Sequence, residues 1–234
     1  MLVSPCRLVY HGGIACDLQA STWSFRVAMS TKANNFQQIR DLGFYQQAAI
    51  AATLMERMLP NYQLFSEVTG FGDAALPRHV LDLVWEWLQV KRAKINFERL
   101  QDELELITPE VMHFDMFGVY PAVDTLTALD AMLNGISGQD SAQFVDVAKI
   151  SQASVARLIE YSSEDLDIST EAELKKHVRD HELMAYEMDC LTEVIALVAQ
   201  MPSFGREEIQ QLKAWVKEQG VTNLGMDLNP ETAE

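Results

Sequence analysis

Six polar side chains are the best candidates in this sequence for shared chemistry. They are Asp73, Asp82, Glu86, Asp115, Tyr120 and Asp124. Asp82 and Glu86 are four residues apart, so on a helix they lie on the same side, one turn from each other. Carboxylates that meet inside a helical bundle can bind a hard cation such as magnesium, or act as acid and base. The same acids more commonly cap helices and pair with arginine or lysine, and we favour that structural interpretation.

Two histidines form a second candidate site. His177 and His181 are four residues apart, a spacing at which two imidazoles can share a metal ion. They also belong to an apolar stripe that alternates by three and four: Leu174, His177, His181, Met184, Met188, Leu191, Ile195 and Val198. This heptad-like pattern predicts one long helix that begins near Thr170 and ends before Pro202. We therefore interpret both histidines as residues of a helix–helix or dimer contact and predict no metal.

Nucleophilic and nucleotide chemistry find no support in the sequence. Cys190 lies among apolar residues on one helical face, which is typical of a small buried hydrophobic side chain. The sequence has neither a Gly-x-Ser-x-Gly elbow nor a glycine-rich phosphate loop. Its three cysteines form no Cys-x-x-Cys pair and fit a reducing compartment. We accordingly predict no cofactor and no catalytic residue.

The charge balance is strongly acidic. The 234 residues include 34 acids and 18 bases, which gives a formal net charge of −16 at pH 7. Such a field repels phosphate groups, so direct binding to nucleic acid is not expected. The sequence also contains no apolar run near the roughly 18 residues that a membrane helix needs. We expect a cytoplasmic protein that stays in solution or docks on a basic partner.

Apolar residues recur at helical spacing along most of the chain. One amphipathic helix is marked by Phe44, Ala48, Ala51, Met55 and Met58. Pro60 is expected to end that helix. Residues 77–88 are apolar on nearly every side, so their helix is predicted to be central, with Trp85 buried. Strand-like alternation is missing, and the sequence predicts an all-α fold, an antiparallel bundle of seven to nine helices.

The first 28 residues differ in composition from the rest. They contain a single acid, Asp17, and show no sustained helical period. An ordinary-looking start follows at Met29, so we interpret residues 1–28 as a disordered or wrongly assigned N-terminal extension. Residues 29–228 are predicted to form a single helical domain, and residues 229–234 a loose tail.

Five stretches of the chain together carry a family resemblance. They are Glu56-Arg57-Met58-Leu59-Pro60-Asn61-Tyr62, Thr69-Gly70-Phe71-Gly72-Asp73, Leu81-Asp82-Leu83-Val84-Trp85-Glu86, Lys94-Ile95-Asn96-Phe97 and Gly118-Val119-Tyr120-Pro121-Ala122-Val123-Asp124. From about Gln38 to Leu228 the sequence resembles the YjaG-like bacterial family, a domain of unknown function (DUF416). The resemblance implies an all-helical fold and suggests an association with bacterial signalling. It implies no activity, cofactor or catalytic residue.

These observations favour a non-catalytic function. We expect a cytoplasmic bacterial protein that acts by binding another protein, with a regulatory role as one form of this; the protein could also form a homodimer. The alternative is a small-molecule or metal-dependent enzyme that uses the clustered carboxylates. An enzyme should bring those acids together in a concave pocket. A binding protein should have them paired or dispersed, with an apolar or acidic surface patch elsewhere.

Overall fold

The computed structural model describes residues 34–90, 93–164 and 166–228. The described part contains nine α-helices: α1 (Asn35–Arg40), α2 (Phe44–Thr69), α3 (Ala75–Gln89), α4 (Phe97–Leu106), α5 (Val119–Gly138), α6 (Ala142–Ser162), α7 (Glu171–Asp180), α8 (Glu182–Ala199) and α9 (Arg206–Gln219). A short 3-10 turn, Val111–His113, precedes α5. The prediction of an all-α bundle of seven to nine helices is confirmed. The predictions for residues 1–28 and 229–234 lie outside the described residues. Nothing in the described ranges tests the proposed boundaries of the domain.

The central helix of the bundle is α2. It packs against α3, α5, α6, α8 and α9, and it is buried on all sides over most of its length. Four of its alanines, Ala48, Ala49, Ala51 and Ala52, are fully buried, and such small side chains let neighbouring helices approach closely. The hydrophobic core of the molecule is therefore built around α2.

The expectation that residues 77–88 form the central helix was wrong, although Trp85 is buried as predicted, with 3% of its surface exposed. Helix α3 is amphipathic, since Asp82, Glu86 and Gln89 face solvent. Leu83 and Trp87 are only half-buried because they lie on its flanks. Trp87 packs there against the rings of Phe44, Tyr45 and Phe97.

Pro60 does not end the helix that contains it, which contradicts the sequence prediction. Helix α2 runs through Pro60 and stops at Gly70, whose φ of +69° is a left-handed conformation that glycine tolerates. A proline within a helix removes one backbone hydrogen bond and clashes with the preceding turn. Tertiary contacts hold the helix together here. Leu59 and Tyr62 are buried on either side of Pro60, and the hydroxyl of Thr125 in α5 donates to the carbonyl of Met58 at 3.1 Å.

The long helix predicted from Thr170 to Pro202 is two helices. The chain breaks at His181, which has extended backbone angles and separates α7 from α8. The heptad-like stripe fails because its two halves pack in different places. Leu191, Ile195 and Val198 of α8 belong to the main core, whereas α7 has no buried residue and contributes only Val178 to a smaller cluster with Val155 and Ile159 of α6.

Residues 220–228 form a turn that follows α9 and packs against α2. Gly220 ends α9 with a φ of +70°, as expected for a C-terminal glycine. Val221 and Asp227 then pair as an isolated β-bridge, and the amide of Leu228 donates to the carbonyl of Gly220 at 2.8 Å. The amide of Asn223 donates to the carbonyl of Arg57 in α2 at 3.3 Å, so this C-terminal turn is fixed to the central helix.

Candidate functional site

The six candidate polar residues lie in separate places. Asp82 is exposed on α3 and pairs with Arg78 at 2.8 Å and with Lys213 of α9 at 3.4 Å. Glu86 is exposed one turn further along α3, and Asp115 is exposed in the loop before α5. Asp73 accepts from the amide of Ala75 at 2.8 Å, so it helps to cap the start of α3.

Tyr120 and Asp124 are the two candidates that come close to a common partner. The Arg157 guanidinium lies 5.1 Å from the centre of the Tyr120 ring, and one of its nitrogens is 3.7 Å from Asp124 Oδ1. Burial raises the pKa of Asp124, and the nearby Arg157 opposes that shift. This arrangement is an ion pair with an aromatic cap, and it involves neither Asp82 nor Glu86.

Within the described ranges, no group of three or more histidine, cysteine or acidic side chains is placed to hold a metal ion. One Glu-x-x-His pair exists at Glu110 and His113, where Nε2 and Oε2 are 3.6 Å apart and both side chains are exposed. His177 and His181 do meet, since their ring centres are 5.6 Å apart. His181 acts there as the cap of α8, because its Nδ1 accepts from the amide of Leu183 at 3.1 Å.

A charged cleft of about 500 Å³ lies between α2, α3 and α9. Glu56, Arg78, Asp82 and Lys213 form an ion-pair network there, in which Arg78 donates to both oxygens of Glu56. The indole nitrogen of Trp85 also donates to Glu56, at 2.7 Å. The acids and bases of this cleft thus pair with one another, and these ion pairs connect α2, α3 and α9.

Sequence reasoning missed a buried polar network at the centre of the bundle. Arg57 of α2 and Glu187 of α8 are 0% and 1% exposed and pair at 2.5 Å. Ser151 of α6 donates to the other oxygen of Glu187 at 2.6 Å, and Asn223 of the C-terminal turn donates to Ser151 Oγ at 3.3 Å. The available signal was that Arg57 is the one basic residue of α2. Its partner is 130 residues away, which periodicity cannot reveal.

Cys190 is buried beside this network, as predicted for a small hydrophobic residue. Burial raises the pKa of its thiol, which makes the nucleophilic thiolate less accessible. Its Sγ lies 3.8 Å from Gln219 Oε1, which also accepts from the Tyr186 hydroxyl at 2.9 Å.

An apolar groove lies beside the C-terminal end of α2. Its cavity is about 250 Å³ and is lined by side chains from four parts of the chain: Asn61, Leu64, Phe65 and Val68 of α2; Met116 and Phe117 of the loop before α5, with Gly118 and Pro121; Leu158 of α6; and Leu224 and Met226 of the C-terminal turn. All of the lining side chains are apolar except that of Asn61. We call this site the apolar groove.

Large apolar side chains continue from the cavity onto the surface. Val68 is 64% exposed and Leu64 is 47% exposed. Tyr120 and Tyr161 are also exposed, and each lies three residues after a residue that lines the groove, Phe117 and Leu158. Phe117 links the cavity to this surface, because its ring stacks on that of Tyr161 at 4.4 Å. Leu64 and Val68 both line the cavity and are exposed, so the apolar lining of the groove reaches the surface.

The acids that accompany the apolar groove are exposed. Glu67 precedes Val68, Asp115 precedes Met116, and Glu160 precedes Tyr161. The base Arg157 precedes Leu158 and lies over the ring of Tyr120, so the groove residues have both acids and a base as neighbours in the chain. The chain as a whole carries a net charge of −16.

The fold and this groove define a helical bundle with a central helix and an apolar groove beside it. In the described ranges, none of the helices is both long and apolar enough to cross a bilayer. Residues 34–227 match the family described as "Protein of unknown function (DUF416)", and the chain belongs to this family. The predicted family resemblance is thereby confirmed.

Relatives and one solved structure agree with this assignment. The chain is 36% identical over 190 residues to "Uncharacterized protein YjaG" of Escherichia coli K12, which covers 81% of this chain and 94% of that protein. It is 32% identical over 195 residues to an uncharacterized protein of Haemophilus influenzae, with 82% and 96% covered. The crystal structure of a DUF416 family protein from Shewanella baltica OS155 superposes with a TM-score of 0.77 at 35% identity. That match covers 84% of this chain and all of the other.

Proposed function

We propose that this chain is a non-catalytic binding protein that takes a basic, amphipathic helix of another protein into the apolar groove. It would act in the cytoplasm, as a regulatory or adaptor component. The observation that carries the proposal is the apolar groove itself, a cavity of about 250 Å³ that opens among exposed Leu64 and Val68. An amphipathic helix binds such a groove by burying its apolar face. Met116 and Met226 favour this use because methionine adapts its shape to different partners.

The overall charge is our reason for proposing a basic partner, because the chain carries a net charge of −16. The exposed acids Glu67, Asp115 and Glu160 accompany the apolar residues of the groove. A helix with lysine and arginine on its polar face would be attracted to them, and this attraction would speed association. A second copy of this chain carries the same charge of −16, so a homodimer through this surface would have to overcome repulsion. The expected homodimer stays a prediction, and the experiment below separates it from a basic partner.

A photo-crosslinking amino acid at position 68 tests the proposal in the native cell. We expect a crosslink to one protein, through a segment in which basic and apolar residues alternate with helical period. The matched control is position 45. Tyr45 is also an exposed apolar residue of α2, about 35 Å along the helix from Val68. The control position should not capture the same protein.

The crosslinked segment, made as a peptide, provides the quantitative test. Val68→Glu should weaken its binding about tenfold or more, while Tyr45→Glu should leave it unchanged. Added salt should weaken binding to the wild-type chain, because the attraction is between exposed charges. Three outcomes would overturn the proposal: capture of a second copy of this chain at position 68, a captured segment that is acidic, or a peptide whose binding ignores Val68→Glu.

A further inference from the structure

Two methionines line the apolar groove. Met116 of the loop before α5 is 36% exposed, and Met226 of the C-terminal turn is half-buried. The end of the Met116 side chain lies against Gly118, because a Cβ atom added to Gly118 would be 3.2 Å from Met116 Cε. Met116 therefore follows the wall of the groove and is also open to solvent.

Exposure and position separate Met116 from the other methionines of the described ranges. Four of them are buried in the hydrophobic core: Met55, Met58, Met132 and Met201. Met112 and Met188 are 84% and 37% exposed, and neither lines the groove. Among the exposed methionines of this part of the chain, Met116 alone belongs to the groove. A reagent that acts on exposed thioethers therefore modifies the groove through Met116 first.

A thioether reacts with a peroxide without help from the protein. The sulfur takes the terminal oxygen of the peroxide: an S–O bond forms as the O–O bond breaks. The proton of that oxygen moves to the departing oxygen, which leaves as water or an alcohol, so the sulfur is oxidised by two electrons and the peroxide is reduced by two. The product, methionine sulfoxide, is polar, and methionine sulfoxide reductases convert it back to methionine.

The groove is a poor environment for a sulfoxide oxygen once it is covered. All lining side chains except that of Asn61 are apolar, and Asn61 is 3% exposed and bonded to Asn223 at 2.9 Å. No lining side chain is open to donate to the new oxygen, which depends on water for its hydrogen bonds. A helix that packs its apolar face on the groove excludes that water, and a buried acceptor without a donor destabilises the complex.

We propose that Met116 is a site of reversible oxidation by peroxides and that its sulfoxide prevents binding at the apolar groove. Met226 is less exposed and reacts later. This inference rests on the proposed function and deepens it, because it names the regulation of the same site. The reduced chain binds the partner helix, and the oxidised chain releases it until a reductase restores the thioether.

The test uses the full chain with isotope-labelled methionine methyl groups, whose NMR signals move far downfield when the sulfur is oxidised. Hydrogen peroxide is added until Met112 and Met188 have reacted. We expect Met116 to have reacted with them, while the four core methionines have not.

Toluene, a neutral aromatic compound small enough for the cavity, is the binding probe, and the shift of the Met226 signal reports its binding. Oxidation should weaken toluene binding about threefold or more, and methionine sulfoxide reductases should restore it. The crosslinked peptide described above is the second probe. It should bind the oxidised chain about tenfold or more weakly, because it covers the groove and excludes more water than toluene does.

Three variants connect the effect to Met116. Met116→Leu keeps an apolar side chain of similar volume and has no sulfur, so its toluene binding should resist the peroxide. Met112→Leu/Met188→Leu is the matched control, since it removes two exposed methionines outside the groove and should stay as sensitive as the wild-type chain. Met116→Gln places a polar group in the groove and should weaken binding without any oxidant. The comparison of reduced and oxidised wild-type chain needs none of these variants.

The outcomes distinguish this inference from the proposed function. Toluene binding that is unchanged when Met116 is oxidised, or peroxide sensitivity that persists in Met116→Leu, would overturn the oxidation site alone. Sensitive toluene binding together with a crosslinked peptide that ignores Val68→Glu would support the oxidation site and overturn the proposed helix partner. A peptide that needs Val68 and still binds after oxidation of Met116 would contradict this inference and leave the proposed function intact.

Discussion

Arg57 and Glu187 form an ion pair at 2.5 Å in the centre of the bundle, where neither side chain reaches solvent. Each charge is compensated by the other charge and by a few hydrogen bonds, so the pair stabilises the fold only while both side chains are present. Removing one partner leaves a buried charge without compensation.

We therefore expect Glu187→Ala to lower the free energy of unfolding by about 3–5 kcal/mol, measured by urea denaturation. The double variant Arg57→Met/Glu187→Leu should be far less destabilised, because apolar side chains can replace a buried pair. Arg99→Ala is the control, since it breaks an exposed pair with Glu103 and should change stability by about 0–1 kcal/mol. Equal losses for the single and double variants would show that packing, and not charge, dominates this place.

Tyr186 predicts a loss of stability in strong base. Burial, followed by its contact with Cys190, raises the pKa of Tyr186 to about 12 from 10.0. A group whose folded pKa is raised stabilises the fold fully below its unfolded pKa, and this contribution is lost as pH rises through the folded value. The urea midpoint should consequently fall between about pH 10 and 12, and Tyr186→Phe should fall less over the same range. Parallel pH profiles for the two proteins would contradict the assignment to this phenol.

The imidazole of His181 caps helix α8, because its Nδ1 accepts from the amide of Leu183 at 3.1 Å. His181→Ala should lower the free energy of unfolding by about 0.5–2 kcal/mol, the typical cost of a lost helix cap. His181→Asn keeps a side-chain acceptor and should therefore cost less. Urea denaturation of the three proteins measures both changes, and an unchanged midpoint for His181→Ala would contradict the capping role.

Trp85 combines a buried ring with one hydrogen bond, and two substitutions separate them. Trp85→Ala should lower the free energy of unfolding by about 3–5 kcal/mol, the typical cost of a deleted core aromatic ring. Trp85→Phe keeps a ring but removes the bond to Glu56, so it should cost distinctly less. An unchanged urea midpoint for Trp85→Ala would contradict the burial of α3 against the core.

The sequence predicted what depends on local pattern and missed what depends on distant pairing. Helical spacing was enough for the all-α bundle and for the burial of Trp85 and Cys190. The prediction that Pro60 ends its helix was wrong because it considered the local backbone alone. The contacts that stabilise α2 around Pro60 come from α5, which is distant in the chain. The single long helix predicted through His177 and His181 was wrong for a related reason. The apolar stripe looks continuous in the sequence, but its two halves pack in different hydrophobic clusters.

The candidate site could not be read from the sequence at all. Its cavity is assembled from α2, the loop before α5, α6 and the C-terminal turn, which lie far apart in the chain. Asn61 looks like an ordinary polar residue near a proline until its neighbour Asn223 is known. Of the acids that seemed the best chemical candidates, Asp82 pairs with Arg78 and Lys213, and Asp124 pairs with Arg157. Glu86 and Asp115 are exposed at other places on the surface.

The bonds between α2 and the C-terminal turn have a consequence for synthesis. During synthesis on the ribosome, 162 further residues must be added after Asn61 before its partner Asn223 exists, which takes roughly 8–32 s at 5–20 residues per second. During that interval Arg57 also has no Glu187, and the wall of the groove formed by Leu224 and Met226 does not yet exist. A nascent chain on the ribosome consequently has the part of the apolar groove formed by α2 before it has the C-terminal turn, so the groove is complete only when residues 224–226 have been made.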